Sequence, residues 1–211
     1  MASVNNVYDF ISNQLTLGNI KRSDRITEQY LVDNLGISRT PVREALVKLT
    51  ADGILEHVPR KGYKVKSYNK KDVQELYTLI GVLDGKIAEM SCKKLDNKDF
   101  SLMKFLTESM NSAISNQLYT KYNELQSQFH DVYMNKCNNK IMVKELQNKK
   151  DIFIGKNYMH MGPESINNHL SSANEEHKKL LDLFMKRESR KVRDYLENVH
   201  WNPKQAQYDI W

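Results

Sequence analysis

Gly36-Ile37-Ser38-Arg39-Thr40-Pro41-Val42-Arg43-Glu44-Ala45-Leu46 is the stretch whose reading decides the fold. Ser38 is a good helix N-cap, because its hydroxyl can accept from an orphan backbone N–H, and Pro41 falls in the first turn, where a missing N–H costs little. A helix therefore starts there. Val42, Ala45, Leu46 and Leu49 follow at i, i+3, i+4 and i+7 as one apolar stripe, which leaves Thr40, Arg43 and Val47 on the far side and Arg39 at the exposed N-terminal end. The segment before it reads as a shorter helix, with Thr27 as cap, Leu31 and Leu35 as an apolar edge, and Gly36 as a terminator that tolerates positive φ. Such a pair, with outward arginines opening the second helix, is what major-groove reading requires, since an arginine fork pairs bidentately with guanine O6 and N7. An ordinary helical hairpin with solvated arginines has the same pattern, so the decision passes to the residues that follow.

After the turn signal Asp52-Gly53 come two short alternating runs, Ile54 to Val58 and Tyr63 to Lys66, around the basic turn Pro59-Arg60-Lys61-Gly62. This is a β-hairpin wing. Its tip can lie against a phosphate backbone or enter a minor groove, and glycine there permits close approach. Together, Arg25-Ile26-Thr27-Glu28, the 36–46 stretch, Leu49, Gly53-Ile54-Leu55 and Pro59-Arg60-Lys61-Gly62-Tyr63-Lys64-Val65 resemble the winged helix-turn-helix of the GntR family of bacterial transcription regulators, from about residue 7 to residue 66. The resemblance implies a DNA-binding regulator, a repressor by analogy, that reads a palindromic double-stranded operator as a homodimer. The residues expected to meet DNA are Thr27, Gln29, Ser38, Arg39, Thr40, Arg43, Arg60, Lys61 and Gly62.

The 211 residues are enough for a winged domain over residues 1–66 and an all-helical domain over 67–211 with its own core. Residues 1–66 hold 10 Lys+Arg against 7 Asp+Glu and the remainder 22 against 19, so each part carries +3 of the net +6 and charge is denser at the front. That balance suits a polyanionic partner, but many of the lysines alternate with glutamates along helices, so the motif carries the DNA reading. No apolar run approaches the roughly 18 residues a membrane helix needs, and Met1-Ala2-Ser3-Val4-Asn5-Asn6 lacks the character of a signal peptide, so a soluble, cytoplasmic protein with no membrane partner is expected. Cys92 and Cys137, without CxxC spacing, read as small core residues in a reducing compartment.

From residue 69 onward only helical periods appear. Asn69 can cap a helix striped by Val73, Leu76, Tyr77, Ile80, Leu83, Ile87 and Met90, and Asn97 a second with Phe100, Met103, Leu106 and Met110. Four more stretches, Leu118 to Asn138, Ile141 to about Gly155, Glu164 to Arg187 and Ser189 to His200, complete a bundle of about six helices. The fold class is thus mainly α, three helices and a wing followed by that bundle.

Phe129-His130 with Lys136-Cys137-Asn138-Asn139, and Glu176-His177-Lys178-Lys179-Leu180-Leu181, resemble the FCD effector-binding domain of the FadR subfamily of GntR regulators. In that domain an aspartate four residues before the first histidine, both histidines and a fourth on the last helix commonly hold a divalent metal, while an arginine on the first helix meets a carboxylate effector. This chain has Gln126 at the aspartate position and Ile80 at the arginine position. On the last helix, Val192 and Leu196 place Val199 at the ligand position, and His200, one residue on, turns away by about 100°. The expectation is an effector pocket of Ile80, Gln126, His130, His177 and Val199, with no cofactor and no metal, although His130 and His177 leave a divalent ion open. The small-molecule effector would be an organic acid or a more apolar metabolite, since the arginine fork is replaced by hydrocarbon. Tyr158-Met159-His160-Met161 can line such a pocket or pack as a connecting loop. Two other readings stay open: a purely structural bundle, and a metal-dependent enzyme using His130 and His177, which lacks a convincing nucleophile or ligand set.

Overall fold

The computed structural model describes residues 2–155 and 162–209, so Tyr158-Met159-His160-Met161 lie outside the described residues. Contacts divide the chain into two units. The first contains α1 (Ala2–Thr16), α2 (Glu28–Leu35), α3 (Arg39–Ala51) and an antiparallel hairpin of β1 (Leu55–Val58) and β2 (Gly62–Val65). The Thr27 hydroxyl accepts from the Tyr30 N–H at 3.1 Å and Gly36 ends α2 at φ 65°. At Ser38 the backbone is extended as a cap should be, yet its side chain makes no capping bond. Val42, Ala45, Leu46 and Leu49 are buried as their spacing demands, closing a core with Val7 and Ile11 of α1.

The hairpin register pairs Val58 with Gly62, leaving Pro59, Arg60 and Lys61 as the loop, with Arg60 in the left-handed region at φ 61°. Ile26 adds a bridge to Tyr63, and a side chain at Gly62 would meet the Ile26 carbonyl oxygen at 2.6 Å. Gly62 thus has a reason internal to the fold.

This unit is not one contiguous stretch. It also takes in the chain from residue 148, which the sequence assigns to the helical domain. Ile154 is buried in the same core as α1, the Tyr8 hydroxyl donates to the Asp151 carbonyl at 3.2 Å, the Arg22 guanidinium donates to the Ile154 carbonyl, and the Gly155 N–H donates to the Ser12 hydroxyl at 3.3 Å.

The second unit consists of α4 (Lys70–Ser91), α5 (Asn97–Ser115), α6 (Tyr119–Asn135), α7 (Lys140–Lys150, to residue 147), α8 (Pro163–Met185) and α9 (Ser189–Tyr195). α9 continues into one π turn (Leu196–His200) and a 3₁₀ segment (Pro203–Asp209). α4 packs on α9 and on both of those continuations, and α5 on α6 and α8. Asp96, not Asn97, caps α5, through a capping box with Asp99 that an acidic pair supplies better than an amide. The buried face of α4 runs through Tyr77, Ile80, Asp84, Ile87 and Ala88, with Leu76, Leu83 and Met90 only half-buried at its edge. Cys92 and Cys137 are buried free thiols.

Gly155 sits at φ 64°, and a side chain there would overlap the Leu15 side chain. Gly155→Ala should therefore destabilise the protein by about 2–4 kcal/mol, read as a lowered melting temperature. Gly162→Ala, with open space around it, should stay within about 1 kcal/mol of the parent.

Candidate functional sites

The first site is the exposed face of α2, α3 and the wing. Arg39, Thr40 and Arg43 are exposed where α3 begins. The Arg39 guanidinium donates to the Gln29 amide oxygen at 2.6 Å, and Gln29 in turn donates to Asp33 at 2.6 Å. Arg43 grips Glu28 with both arms of its fork at 2.9 Å, which holds the Glu28 carboxyl below its usual range. Lys61 is exposed at the wing tip beside Arg60, whose carbonyl accepts a long 3.5 Å bond from Arg25. A cross-strand Lys64–Glu56 pair at 2.7 Å braces the hairpin. The residues expected to contact DNA are carried on α2 or α3, at their caps, in the wing turn, or, for Gly62, at the start of β2.

The second site is inside the helical unit. His130 from α6, His177 from α8 and His200 from the π turn bring one ring nitrogen each to within 4.8 Å of the others. The placement of His200 corrects the sequence expectation, which set Val199 at that position and turned His200 outward. Trp201 N–H donates to the Leu196 carbonyl at 2.9 Å, an i→i+5 bond, so this turn holds one residue more than an α turn. The register therefore slips by one, His200 swings inward, and Val199 is left 37% exposed.

Around the histidines lies a polar network with no counterpart in the expected pocket. Asp84 is fully buried and accepts from the Tyr133 hydroxyl at 2.6 Å and the Trp201 indole N–H at 2.9 Å. His130 Nδ1 lies 2.6 Å from the Tyr133 hydroxyl and 3.3 Å from Asp84. His200 Nδ1 lies 2.9 Å from Glu176, whose other oxygen accepts from Gln205 at 3.2 Å. Gly81 and Gly85 make room for this, since side chains there would meet Trp201 Cβ at 3.1 Å and Glu197 Cγ at 2.9 Å. Ile80 is buried one turn before Asp84, and Gln126 is half-buried one turn before His130. Tyr122, a turn earlier still, has a buried hydroxyl that bonds no protein group among the described residues, and burial beside Glu176 pushes its ionisation up. Glu176 also lines a cleft of about 690 Å³ along α8, with Asn168, Ser172, Lys204 and Gln205.

The gntR-family model of bacterial regulatory proteins matches residues 3–65 and the FCD-domain model matches residues 75–199. The chain belongs to the gntR family and carries an FCD domain. It is 27% identical over 146 residues to an uncharacterised HTH-type transcriptional regulator, YdhC, of Bacillus subtilis, a match covering 69% of this chain and 65% of that protein. It is 31% identical over 91 residues, 43% of each chain, to the Nta operon transcriptional regulator of Aminobacter aminovorans. The solved structure of E. coli McbR/YncC shares the fold at a TM-score of 0.79 and 20% identity, over 99% of this chain and 97% of that one. As a gntR-family protein with an FCD domain the chain is a transcription regulator, and the named relatives are likewise transcription regulators, not enzymes. Among the described residues no helix is long and apolar enough to cross a membrane.

Three imidazoles are the donor type a borderline divalent ion takes, and one pair of them has the spacing such an ion sets. Two nitrogens bound tetrahedrally at about 2.0–2.1 Å stand roughly 3.3 Å apart. His130 Nε2 and His177 Nε2 are separated by 3.3 Å.

A five-residue π turn that loses one residue becomes an α turn. Deleting Val199 should therefore leave the histidine ring beside His130 and His177, with little change in melting temperature. A crystal structure of the deletion variant checks this, and a ring displaced from the cluster would show that something other than the turn sets the register.

Proposed function

We propose that this regulator binds a palindromic operator as a cytoplasmic homodimer and acts as a repressor, with α3 in the major groove and the wing on the flanking backbone. The observation that carries this reading is the pairing of Arg39 and Arg43 with acceptors on α2 at the exposed start of α3. Both guanidinium groups are held there in orientations suited to planar acceptors, and the Arg43 fork meets Glu28 with the bidentate geometry it would use on guanine. Thr27, Gln29, Ser38 and Thr40 surround them as further contacts, and Arg60, Lys61 and Gly62 serve the backbone. A homodimer supplies the second half-site, because one recognition helix offers too little interface for tight specific binding.

The helical unit serves as the sensor, with an organic acid or a more apolar metabolite as effector. Gln126 and Tyr122 stand on α6 in line with His130, so an effector would meet an amide where the FCD pattern has a carboxylate, with the Tyr122 phenol one turn earlier. His130, His177 and His200 would hold a divalent ion, a revision of the no-metal expectation that follows from the corrected register. When bound, such an ion supplies a fixed positive centre for an anionic or polar ligand, a role that Ile80 cannot fill. Effector binding would then act by favouring one spacing of two half-site readers over another.

Arg39→Ala and Arg43→Ala should each weaken operator binding roughly 5- to 150-fold while changing non-specific binding far less. Lys61→Ala should weaken all sequences alike and reduce the salt dependence. Titration of labelled duplexes at fixed salt separates the two. Operator binding like the parent's by both arginine variants would remove α3 from the major groove. Zinc added to chelator-stripped protein should raise the melting temperature, and His177→Ala should abolish the rise.

A further inference from the structure

The histidine cluster is held by two carboxylates that the FCD resemblance does not assign. Proton counting shows what they do. Asp84 accepts from the Tyr133 hydroxyl at one oxygen and from the Trp201 indole at the other. Tyr133 has one proton, and it points at Asp84, so toward His130 Nδ1 the phenol oxygen can only accept. His130 therefore carries its proton on Nδ1 and turns the Nε2 lone pair toward His177. At His200 the same logic is direct: Nδ1 faces a carboxylate oxygen of Glu176 at 2.9 Å, so Nδ1 carries the proton and Nε2 is left as the donor atom.

We propose that Asp84, acting through Tyr133, and Glu176 are positioning residues that fix the tautomers of His130 and His200 and so tune the cluster for zinc-like ions. This rests on the metal reading given above. Gln126 offers no charge, so the ligands nearest the ion are neutral imidazoles; the two carboxylates stand further out, Glu176 one hydrogen bond from His200 and Asp84 two from His130 through Tyr133. Glu176, directly, and Asp84, by way of Tyr133, orient the rings, raise the basicity of the donor nitrogens and offset the ion's double charge without touching it. A neutral nitrogen set of this kind selects borderline ions such as zinc over hard ions such as manganese or magnesium, which want carboxylate oxygen. Asp84 has a second duty. Its bond to the Trp201 indole ties α4 to the residue that closes the π turn, so the carboxylate that orients His130 also braces the turn that delivers His200.

The test uses the full chain stripped with a chelator, with zinc and manganese alone as probes. Competition titration against a chromophoric chelator should give a clear preference for zinc, and Asp84→Asn, Tyr133→Phe and Glu176→Gln should each lose roughly 10- to 100-fold in zinc affinity. Nitrogen-15 spectra of the metal-free parent should show His130 and His200 protonated at Nδ1, a signature that a merely structural carboxylate would not impose. Melting temperatures in chelator identify any variant that folds poorly, and Glu176→Gln, at a half-buried site, carries the test where Asp84→Asn does not fold. Zinc affinity in Glu176→Gln and Tyr133→Phe within twofold of a zinc-binding parent, or protons on Nε2 of both rings, overturns the inference and leaves the metal site standing. No zinc binding by the parent overturns the metal reading and this inference with it.

Discussion

One extra residue in the last turn of α9 is the constraint on which the interior site depends. In an unbroken α-helix the residue three after Leu196 would face the core, and that residue is Val199. The i→i+5 bond from Trp201 to Leu196 absorbs a residue, so His200 faces the core and Trp201 comes within reach of Asp84. Such turns are less favourable than regular helix and persist where something repays them. Here the return is made by the Trp201–Asp84 and His200–Glu176 bonds, together with the close approach allowed by Gly81 and Gly85.

The winged unit shows a different dependence. Its core is completed by Ile154, more than a hundred residues downstream of α1, and the backbone there is tied to Tyr8, Ser12 and Arg22. A fragment ending at residue 66 would leave an apolar gap beside α1 where Ile154 packs and lose the Tyr8–Asp151 hydrogen bond. The winged unit is thus built on a core that the amino-terminal sequence alone does not finish.

The legible parts were those with a local period. Val42, Ala45, Leu46 and Leu49 repeat as an α-helix must, and two alternating runs around a Gly-containing turn can hardly be anything but a hairpin. The six helices of the second unit were legible for the same reason. What escaped has no local period. Asp84 interrupts an apolar stripe, and nothing near it in sequence says that a phenol and an indole will come to it from α6 and from beyond the π turn. Of the expected α4 stripe, Val73, Tyr77, Ile80 and Ile87 are buried, whereas Leu76, Leu83 and Met90 lie at its edge; Gly81, Asp84 and Gly85, silent in a hydrophobic pattern, complete the buried face, and the glycines let Trp201 and Glu197 approach closely. His200 was turned outward by assuming an unbroken α-helix, and the packing of Ile154 in the first unit's core went unread because a contact across most of the chain leaves no trace in either neighbourhood.

Two sites in this protein handle charge in opposite ways, and the difference suits their tasks. In the interior the carboxylates of Asp84 and Glu176 are buried or half-buried and fully engaged, so removing either would strand hydrogen-bond donors in a low-dielectric setting; such groups fix geometry. On α3 the arginines are exposed and their partners lie at the surface, where ion pairs contribute little and are screened by salt. Glu28 and Gln29 therefore orient Arg43 and Arg39 without holding them strongly, which is what the proposed contact with guanine edges or phosphates asks of them. A recognition surface needs arginines that are aimed yet available, and a cluster of convergent imidazoles needs carboxylates that do not let go.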